Sequence, residues 1–357
     1  MDLITRKQSI SASQGVVTSN HPVASSVGIS ILSSGGNAFD AAVGTAFALS
    51  VVEPMMVGPF GGGFTNFFKP NEGFSTIDGY GSAPEAAHEK MYKPISNDLA
   101  QYFDVEDQLN QNGYLSVGTP ANLLAWTHLV EKYGNFNLSE VIQPSINIAR
   151  NGFRVTNYLS DIIKDNIKEL ANYKESANIY LPNGKAPQAG DIIKNPNYAL
   201  TLEGISKYGA AYLHEGELGK HIEDEMKKNG GLVTLNDLKR QKIFYREPIV
   251  GNYKGYKINS VGPVSSGGIC LIQMLNILEN FNIDKYNIFD PERIHIISEV
   301  FKIVFADRYR YIGDPEYVNI PINELISKEY ALERANEINI NKAQSYKFTN
   351  NFLDNDS

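Results

Sequence analysis

The sequence predicts an α+β fold, because strand-like segments group near the start of the chain and again near residue 250, with helical patterns between them. Residues 15–19 (GVVTS) are typical of a short buried strand, and two runs around the polar turn at residues 70–73 predict an antiparallel hairpin. Further strands are expected over residues 249–253 and 256–261. Between residues 117 and 205 the apolar spacing is helical.

Helix boundaries are marked by capping residues and by glycine or proline. The segment from Pro22 to Leu32 has apolar residues at helical spacing, and Gly35 follows it as a C-terminal cap. Asn37 is a suitable N-terminal cap for the next helix, AFDAAVGTAFALSVV, whose small apolar residues predict close packing within a core. Pro54 ends that helix, and Thr234 is expected to cap another short one.

Composition excludes several classes of protein. The 357 residues carry a formal net charge of −8, which argues against binding to a nucleic-acid backbone. The single cysteine, Cys270, excludes an internal disulfide and a thiolate metal cage. The sequence has no secretory signal and no uninterrupted apolar run of about 18 residues, so we expect a cytoplasmic protein without a membrane partner. No cofactor or metal is predicted.

Individual residues do not offer a convincing catalytic group. The six histidines are scattered and form no pair at metal-binding spacing. Ser265 and Ser266 lie outside any GxSxG motif, and their glycine-rich segment is interpreted as a tight turn packed against a sheet rather than an anion site. Cys270 is interpreted as a buried small hydrophobe, and Asp307 with Arg308 as an ion pair. A nucleophile therefore remains unaccounted for.

The ordered series of motifs along the chain resembles the γ-glutamyltransferase family of N-terminal nucleophile hydrolases, including its cephalosporin-acylase-like branch. The resemblance extends from about Gly15 to Ala335. Its motifs are Ser19-Asn-His-Pro22, Gly35-Gly-Asn-Ala-x-Asp-Ala-Ala-Val43, Val52-Glu-Pro54, Gly61-Gly-Gly-Phe64, Ala83-Pro84, Val117-Gly-x-Pro120, Glu131-Lys-Tyr-Gly134, Gly230-Gly-x-x-Thr-x-x-Asp-Leu238, Ser265-Ser-Gly-Gly268 and Ala306-Asp-Arg-x-x-Tyr-x-Gly-Asp-Pro315.

This resemblance implies an αββα sandwich and a precursor that cleaves its own backbone. The new N-terminal threonine of the second piece is then the nucleophile, with its own α-amine as base. Residues 1–357 would form a single large-subunit domain with a polar tail over about 340–357, and would hold no catalytic residue. We expect cleavage directly after Ser357, a small subunit from the same precursor as partner, and a possible higher oligomer of the pair.

One position departs from the family pattern. After the second strand, where the family carries an arginine that holds the α-carboxylate of the γ-glutamyl group, this chain has Tyr80. A phenol offers one neutral donor, whereas a guanidinium binds a carboxylate through two charged hydrogen bonds. No arginine occurs between Arg6 and Arg150, so the nearby cations are lysines. The lysines that could hold the α-carboxylate in place of the arginine are Lys69, Lys90 and Lys93.

Three functions follow as alternatives from the resemblance. The first is a γ-glutamyltransferase that cleaves a glutathione-like amide and transfers the acyl group to water or an amine. The second is an acylase of other amides, favoured by Tyr80. The third is an inactive homologue that serves as a binding or assembly scaffold.

Overall fold

Helices and strands both contribute to the computed structural model, which describes residues 9–96 and 104–346. The α+β class is therefore confirmed. The chain divides into two units, each described here by itself. Unit 1 comprises Met1–Gly63 and Gly79–Ile243, and unit 2 comprises Phe64–Asp78 and Phe244–Ser357. The expectation that residues 1–357 form one domain stays a prediction, as does the polar tail, of which only 340–346 are described.

Unit 1 is largely helical. Its helices are α1 (Pro22–Ser33), α2 (Ala38–Val52), α3 (Asn122–Tyr133), α4 (Leu138–Asn151), α5 (Asn157–Asp165), α6 (Ile167–Ala171), α7 (Lys174–Tyr180), α8 (Pro196–Tyr208), α9 (Ala211–His214), α10 (Glu217–Asn229) and α11 (Leu235–Arg240). The short strands β3 (Phe153–Arg154) and β4 (Ile192–Ile193) pair antiparallel. The predicted helical character of residues 117–205 is thus largely confirmed.

Capping side chains fix the starts of α1 and α2. Nδ1 of His21 accepts a hydrogen bond from the amide of Val23 (3.2 Å), which requires an unprotonated Nδ1. Burial lowers the pKa of His21 and so favours that form. Asn37 accepts from the amides of Phe39 and Asp40, and Asp40 accepts in return from the amide of Asn37 (2.8 Å). This reciprocal capping box confirms the predicted role of Asn37.

Helices α1 and α2 pack closely because small residues lie where they meet. A Cβ added to Gly44 would lie 2.2 Å from Cδ1 of Ile31, and one added to Gly28 would lie 2.3 Å from Oγ1 of Thr45. The absence of a side chain at both positions therefore lets these neighbouring side chains pack closely against the helix backbone. The predicted close packing of the small-residue helix is confirmed.

The predicted strand over residues 15–19 is wrong. None of the strands assigned in the described residues includes this segment, and the side chain of Val16 is 56% exposed. A strand is stabilised by hydrogen bonds to a neighbouring strand, and the described residues of this chain provide none here. Residues 15–19 (GVVTS) include the β-branched residues that strands favour, but these residues form a strand only where a neighbouring strand is available to pair with them.

Unit 2 contains the remaining strands. The strands β1 (Gly63–Lys69), β2 (Gly73–Gly79) and β5 (Phe244–Arg246) form a sheet in the order β1-β2-β5, and β6 (Ile249–Tyr253) pairs antiparallel with β7 (Tyr256–Ser260). β1 and β2 are neighbours joined by a three-residue turn, which confirms the hairpin. The sequence does not predict β5, whose three residues pair antiparallel with β2, with Thr76 opposite Arg246.

The described part of unit 2 also contains four α-helices: α12 (Gly267–Leu278), α13 (Pro291–Tyr311), α14 (Ile322–Leu325) and α15 (Lys328–Asn336). At the start of α12, a Cβ on Gly268 would lie 2.1 Å from the carbonyl oxygen of Val261. The interpretation of residues 265–268 as a tight turn packed against a strand is therefore supported. Cys270 is buried, as expected for a small hydrophobe.

The expected ion pair between Asp307 and Arg308 is wrong. Asp307 pairs instead with the fully buried Arg334, 3.2 Å away, and accepts hydrogen bonds from Tyr330 and Gln273. Consecutive residues on a helix point in different directions, so adjacent charges do not face each other. Arg308 donates instead to Oγ of Ser266 (2.9 Å).

Candidate functional site

Tyr80 lies in unit 1, directly after β2. Its side chain is 54% exposed, whereas its carbonyl oxygen accepts a hydrogen bond from Nε2 of Gln241 (3.2 Å). A hydrogen bond thus fixes the backbone of Tyr80, while its phenol remains accessible to solvent. This is the geometry of a side chain that can contact a small molecule.

The glycine-rich segment at residues 58–63 packs directly on the backbone at Tyr80. A Cβ added to Gly62 would lie 2.3 Å from the amide nitrogen of Gly81 and 3.0 Å from Cα of Tyr80. Any residue other than glycine at position 62 would displace one of the two segments, because both neighbouring groups are backbone. The motif is therefore explained by close approach of two backbones rather than by phosphate binding.

The start of α3 anchors the glycine-rich segment. The amides of Ala121 and Asn122 both donate to the carbonyl oxygen of Gly61 at 3.0 Å. The side-chain Nδ2 of Asn122 donates to the carbonyl oxygen of Gly58 (2.9 Å). Amides in the first turn of a helix have no partner within the helix, so the loop supplies acceptors that they require. The loop is consequently fixed at two points.

Gln241 joins three segments around Tyr80, and sequence reasoning missed it. Ser82 and Thr119 exchange backbone hydrogen bonds at 3.0 and 2.8 Å, and Oγ of Ser82 donates to Oε1 of Gln241 (2.9 Å). The amide of Gln241's side chain then donates to Tyr80. A glutamine carries no sequence signal of this role, except that it follows the Thr-x-x-Asp-Leu motif.

The Thr-x-x-Asp-Leu motif positions α11 and the segment after Tyr80 together. Thr234 and Asp237 form a capping box, as predicted for Thr234, and Oδ1 of Asp237 also accepts from the amide of Glu85 (2.8 Å). Arg240 pairs with the side chain of Glu85 at 2.8 Å. Although burial acts to raise it, these hydrogen bonds lower the pKa of Asp237 overall, so it stays a carboxylate.

The lysines considered as substitutes for the arginine already have acidic partners. Lys69 pairs with Glu72, Lys90 with Glu89 at 3.8 Å, and Lys93 with Glu106 at 2.5 Å. Each of the three pairs is at least partly solvent-exposed and is therefore weak. To bind a substrate carboxylate, any of these lysines would first have to break its ion pair with the glutamate.

The remaining candidates from the sequence are the Cys270 thiol, a metal site, a membrane-spanning helix and the processing site at Ser357. Burial raises the pKa of the Cys270 thiol, which keeps it protonated and unreactive at neutral pH. Among residues 9–96 and 104–346, no cluster of three or more acidic, histidine or cysteine side chains is arranged to hold a metal ion. Within the same residues, no helix combines the length and apolar character needed to cross a membrane. Ser357, the expected processing site, lies outside the described residues.

A family model described as gamma-glutamyltranspeptidase matches residues 24–355. The chain belongs to this family. It is 40% identical to the "Acylase ACY 1 proenzyme" of Pseudomonas sp. (strain SE83) over 97% of this chain and 62% of that protein. It is 38% identical to the "Glutathione hydrolase proenzyme" of Escherichia coli (strain K12) over 94% of this chain and 57% of that protein.

The fold agrees with this membership. A chain in the crystal structure of Helicobacter pylori gamma-glutamyltranspeptidase superposes with a TM-score of 0.91 at 33% identity, covering 98% of this chain and 100% of that one. The N-terminal nucleophile hydrolase fold class expected from the motifs is therefore confirmed. The chain spans about 60% of the length of the two curated relatives above, 62% of the first and 57% of the second.

Proposed function

We propose that this chain is the larger part of a two-chain enzyme that cleaves a γ-glutamyl or related amide through an acyl-enzyme. Family membership over residues 24–355 supports the reaction class. The observation that carries the proposal is Tyr80, a half-exposed side chain on a backbone fixed by Gly62 and Gln241. Such a fixed, outward-facing group is suited to binding the acyl part of a substrate.

The proposed chemistry requires a nucleophile outside the described residues. The hydroxyl oxygen of the small subunit's N-terminal threonine attacks the amide carbonyl carbon, and its proton passes to the threonine's own α-amine. The C–N bond breaks, and the amine leaves with that proton. Water, or a second amine, then attacks the resulting ester, releasing the acyl group and restoring the hydroxyl. The present chain contributes substrate recognition.

Two observations support a second chain as partner. Both curated relatives are proenzymes of which this chain spans about 60%, whereas it covers 100% of a single chain in the Helicobacter pylori structure. In addition, residues 11–19 border an open cavity of about 1120 Å³ with α1 and α2. We propose that strands of the small subunit pair with the β-type residues 15–19 there.

Tyr80 points to the acyl group that the enzyme prefers. Charged hydrogen bonds contribute about 1.5–3 kcal/mol, so replacing an arginine fork with a neutral phenol weakens binding of a substrate carboxylate by roughly ten- to a hundredfold. An uncharged acyl group does not require such a charged partner. This favours the second candidate, an acylase of other amides, and the 40% identity to an acylase proenzyme agrees with that candidate.

The proposal is tested by producing the protein from its full gene. We expect self-cleavage into two chains, a small chain whose N-terminal residue is threonine, and release of nitroaniline from acyl-nitroanilides. Intact mass measures the cleavage, which we predict directly after Ser357. A chain that stays uncut and releases no nitroaniline from any acyl-nitroanilide would support the third alternative, an inactive scaffold. The cytoplasmic location and higher oligomer stay predictions.

The role of Tyr80 is tested by exchanging the side chain. Tyr80→Arg should raise kcat/KM for γ-glutamyl-nitroanilide about ten- to a hundredfold, because the guanidinium restores the charged fork. Tyr80→Phe serves as the control, since it removes the hydroxyl without adding charge, and it should leave glutamyl turnover within a fewfold. Equal glutamyl turnover by the arginine and phenylalanine variants would show that position 80 does not contact the carboxylate.

A further inference from the structure

A concave site lies in unit 1 beside the glycine-rich segment. It is an open cavity of about 440 Å³, within the range of small-molecule sites. It lies among the end of α2, the end of α7 and the first turn of α8. Its lining residues are Ser50, Pro54, Met55, Met56, Val57, Gly58, Pro59, Phe60, Gly61, Tyr180, Asn195 and Tyr198.

The lining of this cavity carries no formal charge. No lysine, arginine, histidine, aspartate or glutamate is among its residues. Burial raises the pKa of both lining phenols, Tyr180 and Tyr198, so they stay neutral at physiological pH. A charged ligand group that gives up hydration on entering gains no counter-ion from these residues, which is unfavourable. The lining therefore favours uncharged groups.

Two hydrogen bonds of Ser50, which lines the cavity, determine the role of the Tyr198 hydroxyl. Oγ of Ser50 donates its single proton to the carbonyl oxygen of Phe47 (2.6 Å). The 2.7 Å contact between Ser50 and the hydroxyl of Tyr198 must then be donated by Tyr198. The Tyr198 oxygen has thereby used its proton and retains only acceptor capacity. It complements a ligand that carries a hydrogen-bond donor.

The mouth of the cavity is apolar and adaptable. Met56 is 59% exposed and Phe60 is 38% exposed, and the Phe60 ring meets Tyr198 edge-on with centroids 6.5 Å apart. Methionine side chains pack favourably against aromatic rings and adjust to irregular shapes. Exposed apolar side chains grouped around a neutral cavity are typical of a binding site.

One loop connects this cavity with the surroundings of Tyr80. Gly61 lines the cavity, and the next residue, Gly62, packs against Tyr80. Consecutive Cα atoms are about 3.8 Å apart, so the cavity wall and the Tyr80 backbone are separated by little more than one residue. A substrate of moderate size is long enough to contact both.

We propose that the cavity binds the acyl side chain of the amide substrate, and that this acyl group is neutral, aromatic and tipped with a hydrogen-bond donor, such as 4-hydroxyphenylacetyl. The proposal rests on the proposed function and names its substrate class. The aromatic ring packs between Met56 and Phe60, and its hydroxyl donates to Tyr198. The uncharged lining disfavours the ammonium and carboxylate of a γ-glutamyl group.

A charge placed at the mouth tests this proposal, and the chain offers a matched control. Met56→Glu introduces a carboxylate at a side chain that is 59% exposed, and Leu200→Glu does so at one that is 60% exposed, on α8 but outside the cavity lining. We expect Met56→Glu to lower kcat/KM for 4-hydroxyphenylacetyl-nitroanilide at least tenfold, mainly through KM. Leu200→Glu should change it less than twofold. Equal effects of the two variants would overturn the proposal.

The hydrogen bond is tested by a substrate pair. The wild-type protein should prefer 4-hydroxyphenylacetyl- over phenylacetyl-nitroanilide about two- to tenfold, because a neutral hydrogen bond contributes about 0.5–1.5 kcal/mol. Tyr198→Phe should abolish the preference, so that the two substrates have similar kcat/KM. A wild-type preference that persists in Tyr198→Phe would assign the hydroxyl to another site.

A binding measurement separates failure of this proposal from failure of the proposed function. The probe is 4-hydroxyphenylacetone, an uncleavable ketone that carries the same aromatic group, added to the purified full-gene product and followed by ligand-observed NMR. Binding to wild type and Leu200→Glu, with loss in Met56→Glu, supports the cavity even if no amide is cleaved. Absence of binding, or binding to all three proteins alike, contradicts it even if γ-glutamyl amides are cleaved.

Discussion

Replacing Gly62 by alanine tests whether close backbone packing positions Tyr80. The added Cβ would lie 2.3 Å from the Gly81 amide nitrogen, more than 1 Å inside ordinary contact, and neither backbone has a flexible end that can move aside. Forcing a methyl group into such packing costs about 1–3 kcal/mol. That corresponds to a fall in the unfolding midpoint of roughly 2–4 °C per kcal/mol for a domain of about 150–250 residues.

The assay combines stability with turnover. Gly62→Ala should lower the midpoint in a thermal melt and, because a displacement of about 1 Å in a substrate-binding group costs about a hundredfold, should lower kcat/KM by a similar factor. The neighbouring Gly61→Ala is the stability control, since its Cβ would meet only ordinary contacts at 3.6 and 3.7 Å. Its free energy of unfolding should stay within about 0.5 kcal/mol of wild type. Identical melts for both variants would refute the packing argument.

Three further predictions concern the surroundings of the site and the core. Gln241→Ala removes two hydrogen bonds at the Tyr80 segment and should cost about 1–3 kcal/mol in a urea titration. Arg334→Met leaves buried Asp307 without its cation and should cost about 3–5 kcal/mol, much of it regained when Asp307→Leu is added. Burial lowers the pKa of His214, so at mildly acidic pH the unfolded chain binds a proton that the folded chain does not. The protein should therefore lose stability as the pH falls below about 6.5, the ordinary pKa of histidine. His214→Gln should reduce that loss in thermal melts between pH 7 and 5.

Sequence reasoning succeeded where the signal is local. Asn37 and Thr234 cap the helices that follow them because the capping interaction involves residues only two or three positions away. The hairpin of β1 and β2 was predictable for the same reason, since its turn is three residues long. The ordered motifs identified the family, which the match over residues 24–355 confirms.

Sequence reasoning failed where the determining contact is distant in the chain. Gln241 reaches Tyr80 across 161 positions, and Arg334 replaces the adjacent arginine as the partner of Asp307. Residues 15–19 have a strand's composition but no strand to pair with in the described part of the chain. The neutral cavity has no signal in sequence, because it is formed by three segments that only the fold brings together.

The central claim is that this enzyme recognises a neutral acyl group, and the ratio of two rate constants tests it most directly. The measurement is kcat/KM of the wild-type full-gene product for 4-hydroxyphenylacetyl-nitroanilide divided by that for γ-glutamyl-nitroanilide. The loss of the charged fork at Tyr80 predicts a ratio above about ten, from at least 1.4 kcal/mol of missing carboxylate recognition. A ratio below one would contradict the claim and indicate that another group holds the γ-glutamyl carboxylate.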